Sequence, residues 1–231
     1  MAVKALIFDM DGVIVDTEPH NMQRVYGYVK SFRPDTPIEE MYQIVGRTRT
    51  DVWTRIAGII GEGKSWEETQ KDFEKNWKPF HPYAVTYREI FREETLGILQ
   101  WAKERGMLTA VASATAYEKV KEILAEVGVL PWLDLVISGE SVKKSKPDPE
   151  IYLKAAELLG VLPGECIAIE DSTVGITAAH RAGVKVVALK DERFDFDRSL
   201  ADGEIKDLGG FFAWAERTLG MVQGSGQTVE K

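Results

Sequence analysis

Short, continuously apolar runs recur along the chain, and each of them ends in polar or charged residues. The runs cover residues 5–8, 108–112, 135–138, 166–169 and 184–189. Unbroken runs of this length are typical of parallel strands that are buried on both faces. The segments 117–127, 149–159 and 173–182 lie between runs and have helical spacing, and a glycine follows each of them. This alternation predicts an α/β fold with a doubly wound parallel sheet.

After the first run the pattern changes, and helical spacing alone continues to about residue 87. Apolar residues at helical intervals occupy 22–29, 38–45, 52–59 and 66–77, with proline and glycine between the groups. We therefore predict an α-helical cap over 17–87, inserted into a core formed by 1–16 and 88–222. Trp53, Trp66 and Trp77 are interpreted as core residues of this cap rather than ligand-stacking residues. A glycine-serine segment predicts a disordered tail over 223–231.

Two aspartates, Asp9 and Asp11, follow the first apolar run and precede Gly12. Residues i and i+2 of a strand point to the same face, so the two carboxylates leave the strand end together. Such a pair requires a cation or a shared proton, which indicates either a metal site or an acid and nucleophile pair. A structural alternative is that Asp11 caps the next helix or shapes the turn. A calcium loop is excluded, because its glycine would be the sixth residue and Gly12 is the fourth.

Polar residues at the ends of the later runs supply partners for this pair. Right-handed crossovers bring the carboxyl ends of parallel strands to one sheet edge, where Ser113, Lys146, Glu170 and Asp171 would meet Asp9. The carboxylates are hard oxygen ligands suited to Mg²⁺. The lysine adds positive charge, and the serine hydroxyl with the backbone N–H groups after it can hold phosphate oxygens. Three carboxylates would repel a phosphate, so this interpretation requires a divalent cation.

Composition narrows the class of protein. The chain has 231 residues, of which 44% are hydrophobic, and length alone predicts one or two domains of about 150 residues. Its 29 basic and 37 acidic residues give a net charge of −8, so nucleic acid and membrane are not expected partners. Its one cysteine, Cys166, excludes an internal disulfide. Because no signal peptide or transmembrane span is evident, we expect a cytoplasmic protein. We also expect the protein to be a monomer.

Four motifs together resemble those of the haloacid dehalogenase superfamily of phosphotransferases, over roughly residues 1 to 220. They are Phe8-Asp9-Met10-Asp11-Gly12-Val13 with Asp16-Thr17-Glu18-Pro19, Ala112-Ser113-Ala114-Thr115, Lys146-Pro147-Asp148-Pro149, and Ile169-Glu170-Asp171-Ser172. The similarity is to the branch that contains β-phosphoglucomutase and small sugar-phosphate and phosphoglycolate phosphatases. All four motifs occur in the family's order, which makes the resemblance specific.

The resemblance implies roles for individual residues. Asp9 would be the nucleophile that forms an aspartyl-phosphate, and Asp11 would be the acid and base, giving its backbone carbonyl to the metal. The transferring phosphate would be held by Ser113, Ala114 and Lys146. The Mg²⁺ site would consist of Asp9, Asp11, Glu170 and Asp171. In the cap, the resemblance implies that Arg49 and Lys75 contact the substrate, a small phosphorylated metabolite. The alternative for each of the two is a solvated charge on a helix surface.

Two departures from the β-phosphoglucomutase pattern influence the choice of reaction. Where the mutases carry a histidine, this chain has Asn21, and its own histidine, His20, comes one residue before that position. Where the mutases carry a lysine-asparagine pair, this chain has Ala116-Tyr117. Losing that lysine weakens the hold on a bisphosphate, so we expect an Mg²⁺-dependent phosphomonoesterase acting on a small sugar-like phosphate. The alternative is a hexose-phosphate mutase. A phosphorylated switch or phosphate-sensing module is a third hypothesis, although receiver domains lack both the cap and the Asp11 acid.

Overall fold

A six-stranded parallel sheet forms the centre of the molecule, in a computed structural model that describes residues 2–77 and 86–220. The strands are β1 Ala5–Phe8, β2 Leu108–Ser113, β3 Leu135–Ser138, β4 Cys166–Glu170, β5 Lys185–Leu189 and β6 Gly203–Ile205. Their order is β3-β2-β1-β4-β5-β6, so β1 lies between β2 and β4. The predicted α/β class with a doubly wound parallel sheet is confirmed. The sequence pattern did not predict β6, whose three residues are too few for a periodic signal.

The helices flank the sheet or follow β1. They are α1 Glu18–Phe32, α2 Glu39–Tyr42, α3 Arg49–Ile60, α4 Trp66–Asp72, α5 Glu94–Glu104, α6 Tyr117–Glu126, α7 Glu150–Leu159, α8 Thr173–Arg181 and α9 Gly210–Leu219. The predicted helical segment 66–77 is divided, because α4 continues as a π-helical turn over Phe73–Trp77. The final helix, α9, was not predicted.

Hydrophobic clusters cover both faces of the sheet, which explains why the strands are continuously apolar. Along β1, Leu6 and Phe8 point into one cluster, whereas Ala5 and Ile7 point into the other. All four side chains are fully buried. Two-sided burial holds the sheet rigid and therefore fixes the positions of the residues at its strand ends.

A third hydrophobic cluster holds α1, α3 and the π-helical turn together. Trp53 is buried in it, and Trp66 and Trp77 pack against it. Phe194 and Phe196 also belong to this cluster, although they come from residues 190–198 between β5 and β6. We call this segment the bridging loop. It joins the sheet to the helices that follow β1.

Phe196 lies directly against Gly46, just before α3. A Cβ atom on Gly46 would be 2.3 Å from a ring carbon of Phe196, and Gly46 has a φ of +69°. Any side chain at this position would clash with the aromatic ring and would also strain the backbone. The glycine thus allows the bridging loop to approach the segment that leads into α3.

Several predictions concern residues outside the described part of the chain. The predicted tail, 223–231, lies there, and so do residues 78–85, near the second predicted boundary of the cap. The division into core and cap therefore stays a prediction. Among the described residues, no helix combines the length and the apolar character needed to cross a membrane.

Candidate active site

The predicted catalytic residues lie at the carboxyl ends of the three central strands. Asp9 directly follows β1, Ser113 ends β2, and Glu170 ends β4 and precedes Asp171. The side chains are buried: Asp9 is 7%, Glu170 0% and Asp171 3% exposed. Neighbouring parallel strands end side by side, so residues far apart in the sequence converge here.

Among the described residues, the ion pairs of this cluster are all made by Lys146. Its Nζ donates to Asp9 Oδ1 at 2.6 Å, to Glu170 Oε1 at 2.6 Å and to the Ala112 carbonyl at 3.0 Å. Burial opposes the charged form of Lys146, but the carboxylates of Asp9 and Glu170 outweigh it and hold its pKa well above the usual value. The hydroxyl of Tyr152 also donates to Glu170 Oε1.

Three carboxylates form a group that fits a hard metal ion. Asp9, Glu170 and Asp171 each offer an oxygen, and these oxygens lie within 4.8 Å of one another. Glu170 Oε2 is buried and has no hydrogen-bond partner in the described part of the chain. A buried, unpaired carboxylate oxygen is costly, and a cation is the partner that would satisfy it. The donor set of oxygens suits Mg²⁺.

The pKa values of the same carboxylates also indicate that the group requires more positive charge than Lys146 supplies. Burial raises the pKa of Asp9 well above its usual value, and the Glu170 carboxylate raises it further, although Lys146 acts in the opposite direction. The pKa of Asp171 is raised by burial and then by the charges of Asp9 and Glu170. One ammonium does not balance three carboxylates in such a buried place, and a divalent cation would.

Two glycines let the backbone approach these carboxylates closely. Gly12 has a φ of +85°, and a Cβ atom there would be 2.0 Å from Asp171 Oδ2. A Cβ atom on Gly175, in α8, would be 1.9 Å from Glu170 Oε2. Side chains at these positions would displace the acidic group, so both glycines are required by its geometry.

Asp11 lies among hydroxyl donors and is not one of the three carboxylates of the acidic group. Its Oδ1 accepts a hydrogen bond from Thr17 at 2.9 Å, and its Oδ2 accepts from Thr115 at 2.9 Å and from Ser113 at 3.3 Å. The N-cap residue of α1 is Thr17, and no side chain caps this helix, so Asp11 does not have the alternative capping role. The sequence analysis did not identify Thr17 and Thr115 as its partners.

The segment after β2 provides polar groups beside Asp11. The Thr115 N–H donates to the Ser113 hydroxyl at 3.0 Å, and the exposed Ala114 lines the adjacent cavity. Helix α6 starts at Tyr117, two residues after Thr115. The N–H of Tyr117 donates to the Glu140 carboxylate at 2.9 Å. Ser113 and Ala114 thus lie where the sequence analysis expects a phosphate-binding segment.

A cavity of about 840 Å³ lies between the strand ends and the helices that follow β1. Arg49 lines it, and its side chain is 66% exposed. Its Nε donates to Gln70 Oε1 at 2.6 Å, and Gln70 in turn donates to Glu74 at 2.6 Å. Lys75 is exposed on the π-helical turn and is not among the described residues that line the cavity. Its predicted substrate contact stays a prediction.

The cavity also contains charged residues to which the sequence analysis gave no role. They are Glu18, Arg47, Glu74, Lys119 and Glu140. Burial, together with repulsion from Asp11, Asp16 and Asp191, raises the pKa of Glu18 to about 7. Surface charges have no periodic signal, so only the folded arrangement identifies them as cavity residues.

Comparison with known proteins gives one family for most of the chain. Residues 3–183 match the family model of the haloacid dehalogenase-like hydrolases. The phosphorylated carbohydrates phosphatase of Thermotoga maritima is 31% identical, over 87% of this chain and 89% of that protein. Protein CbbY of Rhodobacter capsulatus is 32% identical, over 90% of this chain and 95% of that protein.

A solved structure of similar fold is the β-phosphoglucomutase of Clostridium difficile. It has a TM-score of 0.74 and 24% sequence identity, and the match covers 93% of this chain and 96% of that chain. At this identity the similarity supports the fold, with its sheet and following helices, and not the reaction.

Proposed function

The chain belongs to the haloacid dehalogenase-like hydrolase family, and from this premise we propose an Mg²⁺-dependent phosphatase that acts on a small phosphorylated sugar. The observation that carries this proposal is the separation of the two aspartates at the end of β1. Asp9 lies in the acidic group with Lys146, whereas Asp11 lies among hydroxyl donors. Two carboxylates in different environments can take different roles, one as nucleophile and the other as acid and base.

The first step transfers the phosphoryl group to the enzyme. Lys146 holds one oxygen of Asp9, and the other oxygen attacks phosphorus while the bond to the leaving oxygen breaks. Asp11 gives its proton to that leaving oxygen, and Thr17 and Thr115 orient its carboxyl group. Ser113, Ala114 and Lys146 surround the transferred phosphate.

The second step reverses the role of Asp11. Its carboxylate removes a proton from water, the water oxygen bonds to phosphorus, and the bond to Asp9 breaks to release inorganic phosphate. Asp9, Glu170 and Asp171, with the backbone carbonyl of Asp11, would hold Mg²⁺. The ion would neutralise their charge and that of the phosphate.

The substrate class follows from the cavity and from the relatives. About 840 Å³ is more space than a phosphate needs, and the far wall offers charged and polar donors such as Arg49. The Thermotoga maritima relative is named for phosphorylated carbohydrates. We propose that residues 17–87 act as a cap whose Arg49 contacts the part of the substrate beyond the transferred phosphate.

Hexose-phosphate mutase remains the second candidate. The resemblance of the four sequence motifs to the branch that contains β-phosphoglucomutase favours it. Ala116-Tyr117 opposes it, because this pair provides no cation for the distal phosphate of a bisphosphate intermediate. A charged hydrogen bond is worth about 1.5–3 kcal/mol, so its loss favours release of the intermediate and hydrolysis.

Steady-state turnover of p-nitrophenyl phosphate tests the covalent mechanism. We expect multiple turnovers that need Mg²⁺, stop with EDTA, and fall at least about a thousandfold in Asp9→Asn, which replaces the nucleophile by a nearly isosteric amide. Less than one turnover per enzyme would support the switch hypothesis. A folded Asp9→Asn variant with wild-type turnover would exclude the aspartyl-phosphate.

A product assay separates the phosphatase from the mutase. The assay supplies β-glucose 1-phosphate together with a catalytic amount of β-glucose 1,6-bisphosphate. We expect inorganic phosphate to form faster than glucose 6-phosphate. Predominant glucose 6-phosphate with little free phosphate would make the mutase the correct assignment.

A further inference from the structure

Glu140 lies on a turn that packs against the proposed phosphate-binding segment. Ser138, at the end of β3, pairs in register with Ser113 at the end of β2. In the 3₁₀ turn Gly139–Ser141 that follows, a Cβ atom on Gly139 would be 2.8 Å from the Ala114 carbonyl oxygen. Only glycine allows this approach without a backbone shift. The turn is therefore fixed directly beside Ala114.

The Glu140 side chain places a negative charge at the start of α6. Its carboxylate accepts the Tyr117 N–H at 2.9 Å, and Glu140 is exposed and lines the cavity. The free N–H groups of a helix start favour anions, including phosphate. Here a carboxylate of the chain itself occupies the first of them. A phosphate in the same place would meet a like charge.

The cations closest to the start of α6 either interact with other groups or lie on the other side of the cavity. Lys119 lies two residues after Tyr117 in α6, and its Nζ donates to Glu122 at 2.7 Å and lies 4.9 Å from the centre of the Tyr87 ring. The arginines that line the cavity, Arg47 and Arg49, come from the opposite wall. The wall beside the start of α6 is therefore acidic near Tyr117.

We propose that Glu140 is a specificity-determining residue that disfavours substrates with a second phosphate directed toward the start of α6. A hydroxyl of a monophosphate can donate a hydrogen bond to this carboxylate, whereas a phosphate is repelled by it. Glu140 thus selects sugar monophosphates over bisphosphates. This inference rests on the proposed hydrolase function and identifies a residue that restricts its substrate.

The test compares β-glucose 1-phosphate with β-glucose 1,6-bisphosphate, which differ by one phosphate. For each, kcat/KM for phosphate release is measured in saturating Mg²⁺, and the ratio of bisphosphate to monophosphate is the quantity of interest. We expect Glu140→Gln to raise this ratio about three- to tenfold, since the variant removes the charge and keeps an oxygen that can accept the Tyr117 N–H. Glu118→Gln is the matched control, because Glu118 is exposed next to Tyr117 in α6, is not among the described residues that line the cavity, and loses the same charge when it is replaced.

The expected pattern is a raised ratio in Glu140→Gln and a ratio within twofold of wild type in Glu118→Gln. An unchanged ratio in Glu140→Gln, or an equal rise in both variants, would overturn the inference while leaving the phosphatase assignment intact. If Glu140→Gln does not fold, the wild-type ratio is measured between 20 and 300 mM salt. A rise with salt shows screened repulsion and supports the inference, and a fall overturns it. Absence of phosphate release from both esters would instead overturn the hydrolase proposal on which the inference rests.

Discussion

The cavity has two walls: the core wall, formed at the strand ends of the sheet, and the opposite wall, formed by the helices that follow β1. The two walls hold their charged residues in different ways. On the core wall, Lys146 is buried and makes two 2.6 Å ion pairs, with Asp9 and Glu170. On the opposite wall, Arg49 is 66% exposed, and the Glu74 carboxylate is 4.0 Å away and 50% exposed. Buried charges must be compensated in a fixed geometry, whereas exposed pairs contribute little to stability.

This difference separates the residues required for the reaction from those that can set the choice of substrate, on physical grounds alone. A substitution on the core wall leaves a buried charge without a partner, so it affects folding as well as catalysis. A substitution at Arg49 removes a solvated side chain and leaves the cluster around α3 intact. The wall opposite the sheet can therefore change its preferred substrate at little cost in stability.

The largest effect is expected for Lys146→Met, which tests whether the core wall couples catalysis to folding. Removing the ammonium leaves Asp9 and Glu170 uncompensated, so the metal-free protein should lose about 3–5 kcal/mol of unfolding free energy. Mg²⁺ should restore part of it. Urea unfolding with and without Mg²⁺ measures both. Lys144→Met, at a lysine whose side chain is 76% exposed, is the control and should cost less than about 0.5 kcal/mol; an equal loss in both variants would contradict the comparison.

Asp11→Asn tests whether the second core carboxylate acts on the leaving group. An alkyl phosphate has a poor leaving group that needs a proton, so its hydrolysis should slow by about 10²- to 10⁴-fold. For p-nitrophenyl phosphate, whose leaving group needs little protonation, we expect less than about a tenfold loss. The two rates are measured on the same enzyme preparation. Equal losses would show that Asp11 only supports the arrangement of Thr17, Ser113 and Thr115.

Arg49→Ala tests the opposite wall, where binding and stability should be independent. We expect about a tenfold rise in KM for a sugar monophosphate. This corresponds to the lower end of the free energy that a hydrogen bond to a charged group contributes, about 1.5 kcal/mol. Hydrolysis of p-nitrophenyl phosphate and the urea midpoint should hardly change. Arg55→Ala is the control, because Arg55 pairs with Glu40 at 2.5 Å and does not line the cavity among the described residues. A similar loss for both esters would mean that Arg49 supports the fold.

Glu18→Gln tests the boundary between the two walls and should have the smallest effect. The pKa of Glu18 is raised from 4.5 to about 7, so folding favours its protonated form. That contribution is fully present below pH 4.5 and is lost as pH rises through 7. In EDTA, Glu18→Gln should match wild type at pH 4.5 and be more stable at pH 8 by about 1 kcal/mol, because solvent around the half-buried side chain screens most of the roughly 3 kcal/mol that full linkage would give. Parallel stability curves over this range would rule out a buried, repelled carboxylate at this position.

The sequence predicted the core wall well, because strand ends define it. Asp9, Ser113, Glu170 and Asp171 follow buried strands, and parallel strands bring such residues together whatever their separation in the chain. It could not assign the hydroxyls of Thr115 and Tyr152, which donate to Asp11 and to Glu170. These contacts depend on the exact direction of each side chain, which no pattern of apolar residues encodes.

The opposite wall was less predictable, because its geometry departs from regular spacing. The interval 66–77 was treated as one helix with 3.6 residues per turn, but its second half is a π-helical turn. A π turn changes the face on which each later residue lies, and among the described residues Glu74 lines the cavity and Lys75 does not. The bridging loop and β6 have no periodic signal at all. On the core side, Glu140 and Lys119 were also not predicted, because they line the cavity only through the packing of the turn after β3 and of α6 beside it.

The bridging loop has a mechanical consequence for the proposed cap. Phe196 is packed on Gly46, and Phe194 lies in the same hydrophobic cluster as α1 and α3. The loop is also held to the core, because Arg193 makes a bidentate ion pair with Asp16, at 2.9 and 2.7 Å. Since the loop directly follows β5 of the rigid sheet, its two phenylalanines connect the helices after β1 to the sheet. We therefore expect that movement of the proposed cap away from the sheet requires both phenylalanines to leave that cluster. Amide exchange in 190–198 should then follow that of α3 rather than that of β5, and exchange as slow as in β5 would mean that these aromatic contacts do not open.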